Sequence, residues 1–274
     1  MLNIYYINLD NATKRREAIE ENLRKFKSND VGIHRISAVN KEYVEKNNIH
    51  GGIRSNEKAC FLSHVKAIEA ALKNPGYALI LEDDILLGSE SISWLDKVLV
   101  PAISDLDLLF IELCISNLPS MFQLYRLKKE LLKAGKIEIF RTKIFDFAGA
   151  SAYLLNDRSK LKLLEILQKL TPLDTPYDLA LKMLITEDKL SSGFIFPFIA
   201  TLSDESLNTS IQLDVDALPN IVYDSFRKLM FIEADCEKLN SLQAIPNEFY
   251  GKDDLVFGKI VSTVISENFP IRLF

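Results

Sequence analysis

The hydrophobic pattern opens with an apolar run over residues 2–9, the length of one strand and too short to cross a membrane. A turn rich in capping residues, Asp10-Asn11-Ala12-Thr13, follows. Ala18, Ile19, Leu23 and Phe26 then recur at helical spacing, which predicts an amphipathic helix over about 14–27. A second short strand is predicted over 31–36, and strand, helix, strand in that order favours a mostly parallel α/β sheet. Gly51-Gly52 marks a loop over 47–55. Ser55 is expected to cap a helix over 56–73, with Phe61, Val65, Ile68 and Leu72 as its buried stripe and Glu57 in its dipole-favoured first turn. Asn74-Pro75-Gly76 ends that helix, and residues 77–81 read as a buried strand running into Glu82-Asp83-Asp84.

Further strands are predicted over 108–113, 137–141, 148–155 and 193–197. A Lys-rich segment over 121–133 reads as a helix or a hairpin. Asp157 is expected to cap a helix over 158–170, and a Pro-containing connection over 171–176 leads into another near 177–185. From about 218 helical stretches alternate with short breaks. No internal repeat and no linker of disordered composition interrupts the chain, so the economical division is a catalytic domain over 1–210 with a helical C-terminal extension, 211–274, packed on it.

Composition narrows the classes of function. The 274 residues are 48% hydrophobic and 26% charged, with 10 Gly and 9 Pro, which excludes a disordered or fibrous chain. A net charge of −5 argues against a nucleic-acid partner, although a local basic patch can still hold a small phosphate ligand. Three dispersed cysteines (Cys60, Cys114, Cys236) form no CxxC pair, so neither a disulfide framework nor a thiolate zinc centre is expected, and a reducing cytoplasm is the simplest location. The first residues carry no basic region or small-residue cleavage site and read as a strand, not a signal peptide. The sequons at Asn11 and Asn208 are then expected to be unmodified.

The strongest chemical signal is Glu82-Asp83-Asp84. Three adjacent carboxylates repel one another, and folding alone gives no reason to place them directly after a buried strand. In open α/β sheets the carboxyl ends of the strands face the ligand crevice, and oxygen-rich sites suit hard cations such as Mg²⁺ or Mn²⁺. A solvated acidic turn is the bland alternative, and the buried strand before it favours the metal site.

In order and spacing, Ile7-Asn8-Leu9, Lys14-Arg15-Arg16, Ser37-Ala38-Val39, Glu57-Lys-Ala-Cys60-Phe-Leu-Ser63-His64 and Ile80-Leu81-Glu82-Asp83-Asp84 resemble glycosyltransferase family 25. That family includes bacterial lipooligosaccharide galactosyltransferases and collagen galactosyltransferases. Gly149-Ala-Ser-Ala-Tyr153 and Pro176-Tyr-Asp178 resemble later elements of it, and beyond Leu190 the likeness fades.

The resemblance implies a GT-A-like (Rossmann-like) α/β fold and a UDP-sugar donor whose diphosphate is held by Mn²⁺ or Mg²⁺ on the acidic triplet. Asp84 is the first choice for the metal, with Glu82 sharing it or, like Asp83, reaching the ribose or sugar. Asn8, Arg15, Ala38, Val39 and His64 are expected around the nucleotide. Lys14, Arg15 and Arg16 read either as the solvated first turn of a helix or, because positive charge is unfavourable there, as a turn in which one of them has a functional role. An inverting transfer needs a base across the sugar from the metal; Asp178 is the best candidate, Asp174 the second, with Glu187 and Asp188 behind them. Galactose, and an oligosaccharide or lipid-linked glycan such as lipooligosaccharide, follow from the resemblance alone. The apolar tail over 260–274 suits packing on the core or peripheral membrane contact, and its few basic residues favour packing. Two alternatives stand: a nucleotidyltransferase-like enzyme, which would want a Gly-rich phosphate loop that Asp10–Thr13 does not supply, and a catalytically silent nucleotide-sugar-binding domain, against which the intact triplet counts.

Overall fold

A computed structural model of the chain describes residues 2–26, 31–203 and 217–234. In chain order the first half contains β1 (Leu2–Asn8), α1 (Thr13–Arg24), β2 (Val31–Ser37), α2 (Lys41–Lys46), α3 (Ser55–Ala71), β3 (Tyr77–Glu82), β4 (Ile85–Leu87), α4 (Ser91–Ala102), β5 (Leu108–Phe110) and β6 (Cys114–Ile115). The second half contains α5 (Leu118–Ala134), β7 (Glu138–Arg141), β8 (Phe147–Ala148), β9 (Ala152–Leu155), α6 (Asp157–Gln168), α7 (Tyr177–Thr186), β10 (Ser192–Phe196), β11 (Ala200–Leu202) and α8 (Ala217–Met230).

Seven strands form the central sheet in the order β2-β1-β3-β9-β5-β10-β7. Five point the same way; β9 runs antiparallel to both β3 and β5, and β7 antiparallel to β10. The expected α/β class and mostly parallel sheet flanked by helices are what the chain adopts. Alternation along the strands feeds two cores. Tyr5, Ile7, Ile80, Phe110, Tyr153 and Phe194 face one side, among residues of α3, α6 and α7. Ile4, Tyr6, Leu79, Leu81, Leu154 and Ile195 face the other, among residues of α1, β4 and β11. Both faces are covered, which is why the strands read as nearly continuous apolar runs. Each fully buried aliphatic or aromatic side chain here contributes about 1.5–3 kcal/mol.

Several local expectations are corrected. The helix α3 is capped one residue early: the Glu57 carboxylate accepts the Arg54 backbone N–H at 2.8 Å, so Ser55 is already helical. Its buried face is Ala59, Phe61, Ser63, His64, Ala67, Ile68 and Ala71, while Leu72 is exposed, because small residues let the helix lie close to the sheet. Asn156 caps α6, accepting from the Ser159 N–H at 2.8 Å, and Asp157 instead accepts from the Gly76 N–H. The single strand expected over 148–155 is two short strands in different sheets, divided at Gly149, whose φ of +79° favours glycine. The segment over 121–133 is helical, within α5.

Helix α8, from the expected C-terminal extension, is tied to the sheet end. Arg227 makes a buried bidentate ion pair with Glu112 just past β5, and the Phe198 N–H donates to the Met230 carbonyl at 3.1 Å. The tail over 260–274, the sequon at Asn208, Cys236 and the division expected at 210/211 lie outside the described residues. No described helix is long and apolar enough to cross a membrane.

Candidate active site

Because β1, β2 and β3 are parallel, their carboxyl ends share one edge of the sheet, and a cleft of about 430 Å³ opens there. Arg15, Ala38, Val39, His64 and the whole Glu82-Asp83-Asp84 triplet line it. The structure thus brings together seven of the residues expected around donor and metal.

The triplet is built in layers. The Glu82 N–H donates to the Ser151 carbonyl at 2.8 Å, which fixes the end of β3. Asp83 is fully engaged: one carboxylate oxygen accepts from Asn8 Nδ2 at 2.7 Å and the other pairs with Arg15 Nη2 at 2.9 Å. The same Arg15 nitrogen lies 2.6 Å from Asp84 Oδ2. Arg15 therefore bridges two buried carboxylates, and this attraction offsets its unfavourable place at a helix N-terminus. Asn8 lies beneath the cleft and not on its wall. It is buried, and its side chain also donates to the Ala12 carbonyl and accepts from Arg35 Nε, so it positions Asp83 where direct nucleotide contact was expected.

Asp84 Oδ1 and Arg15 Nε are the exceptions in this cluster: both are buried and neither has a hydrogen-bond partner among the described residues. An unpaired buried carboxylate oxygen is costly, and burial together with the Glu82 charge pushes the Asp84 carboxyl up to about 7, against the pull of Arg15. Burial also raises Asp83, opposed by Arg15 and Asn8. Burial alone would raise Glu82 as well, but the hydrogen bond and charge of His64, with Arg227 and Arg15 behind, hold it below the usual carboxylate range. A free hard oxygen on Asp84 with Glu82 beside it fits a divalent cation; Asp83, with both oxygens taken, fits one less well.

His64 is buried at the foot of the cleft. Its Nε2 lies 3.3 Å from Glu82 Oε1, its Nδ1 3.1 Å from the Tyr153 hydroxyl, and that hydroxyl 2.7 Å from the hydroxyl of Tyr177. With the Glu82 carboxylate as acceptor, Nε2 carries a proton and donates it in that hydrogen bond. Tyr177 also stacks on the imidazole at 4.1 Å between centroids. The Val39 N–H donates to Ser63 Oγ at 2.8 Å, which pins the turn after β2 to α3.

Asp178 is half-buried in the first turn of α7 and accepts from the Gly149 N–H at 2.8 Å; it is not among the residues lining the cleft, yet its charge is felt at Cys60 on the cleft wall. Asp174 is exposed and accepts from the Gly52 N–H at 2.6 Å. Glu187 and Asp188 pair with Lys189 and Lys143 away from the cleft. Sequence reasoning did not find Tyr153 or Tyr177 as partners of His64, nor Arg227, which acts on the triplet from 143 positions or more along the chain.

Among solved structures the chain is similar to the apo-form glycosyltransferase GlyE of Streptococcus pneumoniae TIGR4 (11% identity, TM-score 0.39, covering 97% of this chain and 62% of that one). It is also similar to the galactosyltransferase LgtC in complex with donor and acceptor sugar analogues (13%, 0.37, covering 70% and 72%) and to mouse xyloside xylosyltransferase 1 (12%, 0.37, covering 70% and 71%). The chain thus spans less than two thirds of the length of GlyE. No curated protein sequence matches it significantly. The sequence model of glycosyltransferase family 25 (LPS biosynthesis protein) matches residues 1–181, about two thirds of the chain and the whole of the cleft described above. The chain belongs to glycosyltransferase family 25.

Proposed function

We propose that the protein transfers a sugar, galactose by family resemblance, from a UDP-sugar to a glycan acceptor such as lipooligosaccharide, with inversion at the anomeric carbon. The observation that carries this reading is the buried, unpaired Oδ1 of Asp84 in a cleft at the carboxyl ends of three parallel strands. Asp84 and Glu82 would hold Mn²⁺ or Mg²⁺, which when bound neutralises charge building on the leaving diphosphate. Arg15 and Asn8 keep Asp83 and Asp84 in place, and Ala38 and Val39 give a small-residue wall that a flat base can approach. His64 orients Glu82 through a hydrogen bond that Tyr153 and Tyr177 extend.

In the transfer, the acceptor hydroxyl oxygen forms a bond to the anomeric carbon as the carbon–oxygen bond to UDP breaks. Asp178 takes the hydroxyl proton, with Asp174 the second candidate for that role. Such an enzyme works where nucleotide sugars are made, in the cytoplasm, at the inner face of the membrane that carries a lipid-linked acceptor. Thermal unfolding with nucleotides tests the donor side. UDP with Mn²⁺ at about 100-fold over its dissociation constant should raise the midpoint by roughly 5–10 °C, with little effect from UDP or Mn²⁺ alone. Equal stabilisation by every nucleotide without metal would favour a nucleotide-binding domain of another kind.

A further inference from the structure

Among the described residues, three side chains of different ligand chemistry meet at one point on the cleft wall. The ligand atoms of Cys60, His64 and Glu82 all lie within 4.8 Å of one another. Cys60 and His64 are one helical turn apart on α3 and so share a face, and Glu82 arrives from the end of β3. All three line the cleft.

A tetrahedral ion spaces thiolate, imidazole and carboxylate donors roughly 3.4–3.6 Å apart. His64 Nε2 and Glu82 Oε1 already stand at 3.3 Å, so closure asks for a side-chain shift of about one ångström. The second nitrogen of His64 has the outer partner that a ligating imidazole needs: the Tyr153 hydroxyl at 3.1 Å, itself held by Tyr177. When Nε2 binds a metal, Nδ1 carries the proton and donates to Tyr153, whose hydroxyl turns to donate onward.

We propose that Cys60, His64 and Glu82 form a zinc site in the cleft wall that shares Glu82 with the hard-cation position at Asp84, and that filling it withdraws Glu82 from that position and so inhibits the enzyme. The donor set decides the metal: sulfur and imidazole nitrogen select Zn²⁺, whereas Mg²⁺ and Mn²⁺ prefer oxygen. Three protein ligands leave a fourth position open to the cleft. As the zinc–sulfur bond forms, the Cys60 thiol releases its proton to solvent, and Glu82 exchanges its hydrogen bond with His64 for the metal. Zinc binding stands on this geometry alone; the inhibition rests on the proposed function.

Titration of the intact protein with Zn²⁺ against a chelating indicator, and with Co²⁺ followed by absorption, tests the site. One Zn²⁺ should bind per chain, about tenfold or more weaker in Cys60→Ser and His64→Gln and within a few-fold of the parent in Asp84→Asn. In the unaltered protein, Co²⁺ should give the near-ultraviolet charge-transfer band of a thiolate ligand. A Co²⁺ complex without that band, or zinc affinity lost in Asp84→Asn and kept in Cys60→Ser, overturns the assignment. Zinc binding by this signature in a protein that transfers no sugar would retain the site and discard the proposed activity.

Discussion

Asp84→Ala is expected to lose metal-supported sugar transfer by on the order of 10³-fold while the protein stays folded. The factor follows from the several kcal/mol of charge stabilisation that a bound cation supplies, at about 1.4 kcal/mol per tenfold. Stability is expected to hold because Asp84 is a liability in the ion-free protein: buried beside Glu82, with one oxygen unpaired and its carboxyl pushed up to about 7. Arg15 keeps its second partner, Asp83, so the variant does not strand the guanidinium. The checks are turnover with Mn²⁺ and Mg²⁺ in excess and the unfolding midpoint of the ion-free protein. Parent-like turnover would remove Asp84 from the metal site.

The second large effect is expected at Asp178. Replacing it with asparagine should lower turnover by roughly 10²–10⁴-fold, the usual contribution of a general base, and leave the affinity for UDP and metal nearly unchanged. The isosteric amide is the informative choice because its oxygen still accepts the Gly149 N–H, so the turn between β8 and β9 is preserved. An amide cannot take the acceptor proton. Steady-state rates against acceptor concentration separate this from a binding defect. A larger loss in Asp174→Asn would move the base to that residue, which lies exposed against Gly52.

The acidic triplet was legible because carboxylates directly after an apolar strand conflict with the folding interest of that strand, and such a conflict points to a ligand. Arg15 was legible for a similar reason, since its charge is misplaced for a helix start and the structure supplies the carboxylates that explain it. The parallel opening followed from strand, helix, strand. Other features depend on geometry that no local pattern carries. The cap of α3 fell one residue from its expected place because a Glu57 side chain reaching back to Arg54 replaces a capping hydroxyl. Leu72 lies outside the buried face of α3 because Ala59, Ala67 and Ala71, silent in a count of large apolar residues, face inward. The Arg227–Glu112 pair joins positions 115 apart and Tyr153 meets His64 across 89, separations at which only the sheet order brings residues together.

Sugar transfer from a nucleotide donor is tested most directly by mass spectrometry of acceptor glycans incubated with the protein, Mn²⁺ and each of a panel of nucleotide sugars. The predicted result is a product heavier by one hexose from UDP-galactose, together with released UDP, formed with Mn²⁺ and absent when the metal is chelated. Undiminished transfer in the presence of chelator would contradict the metal assignment, and release of free sugar or nucleotide with no glycan product from any donor would contradict the transferase reading itself.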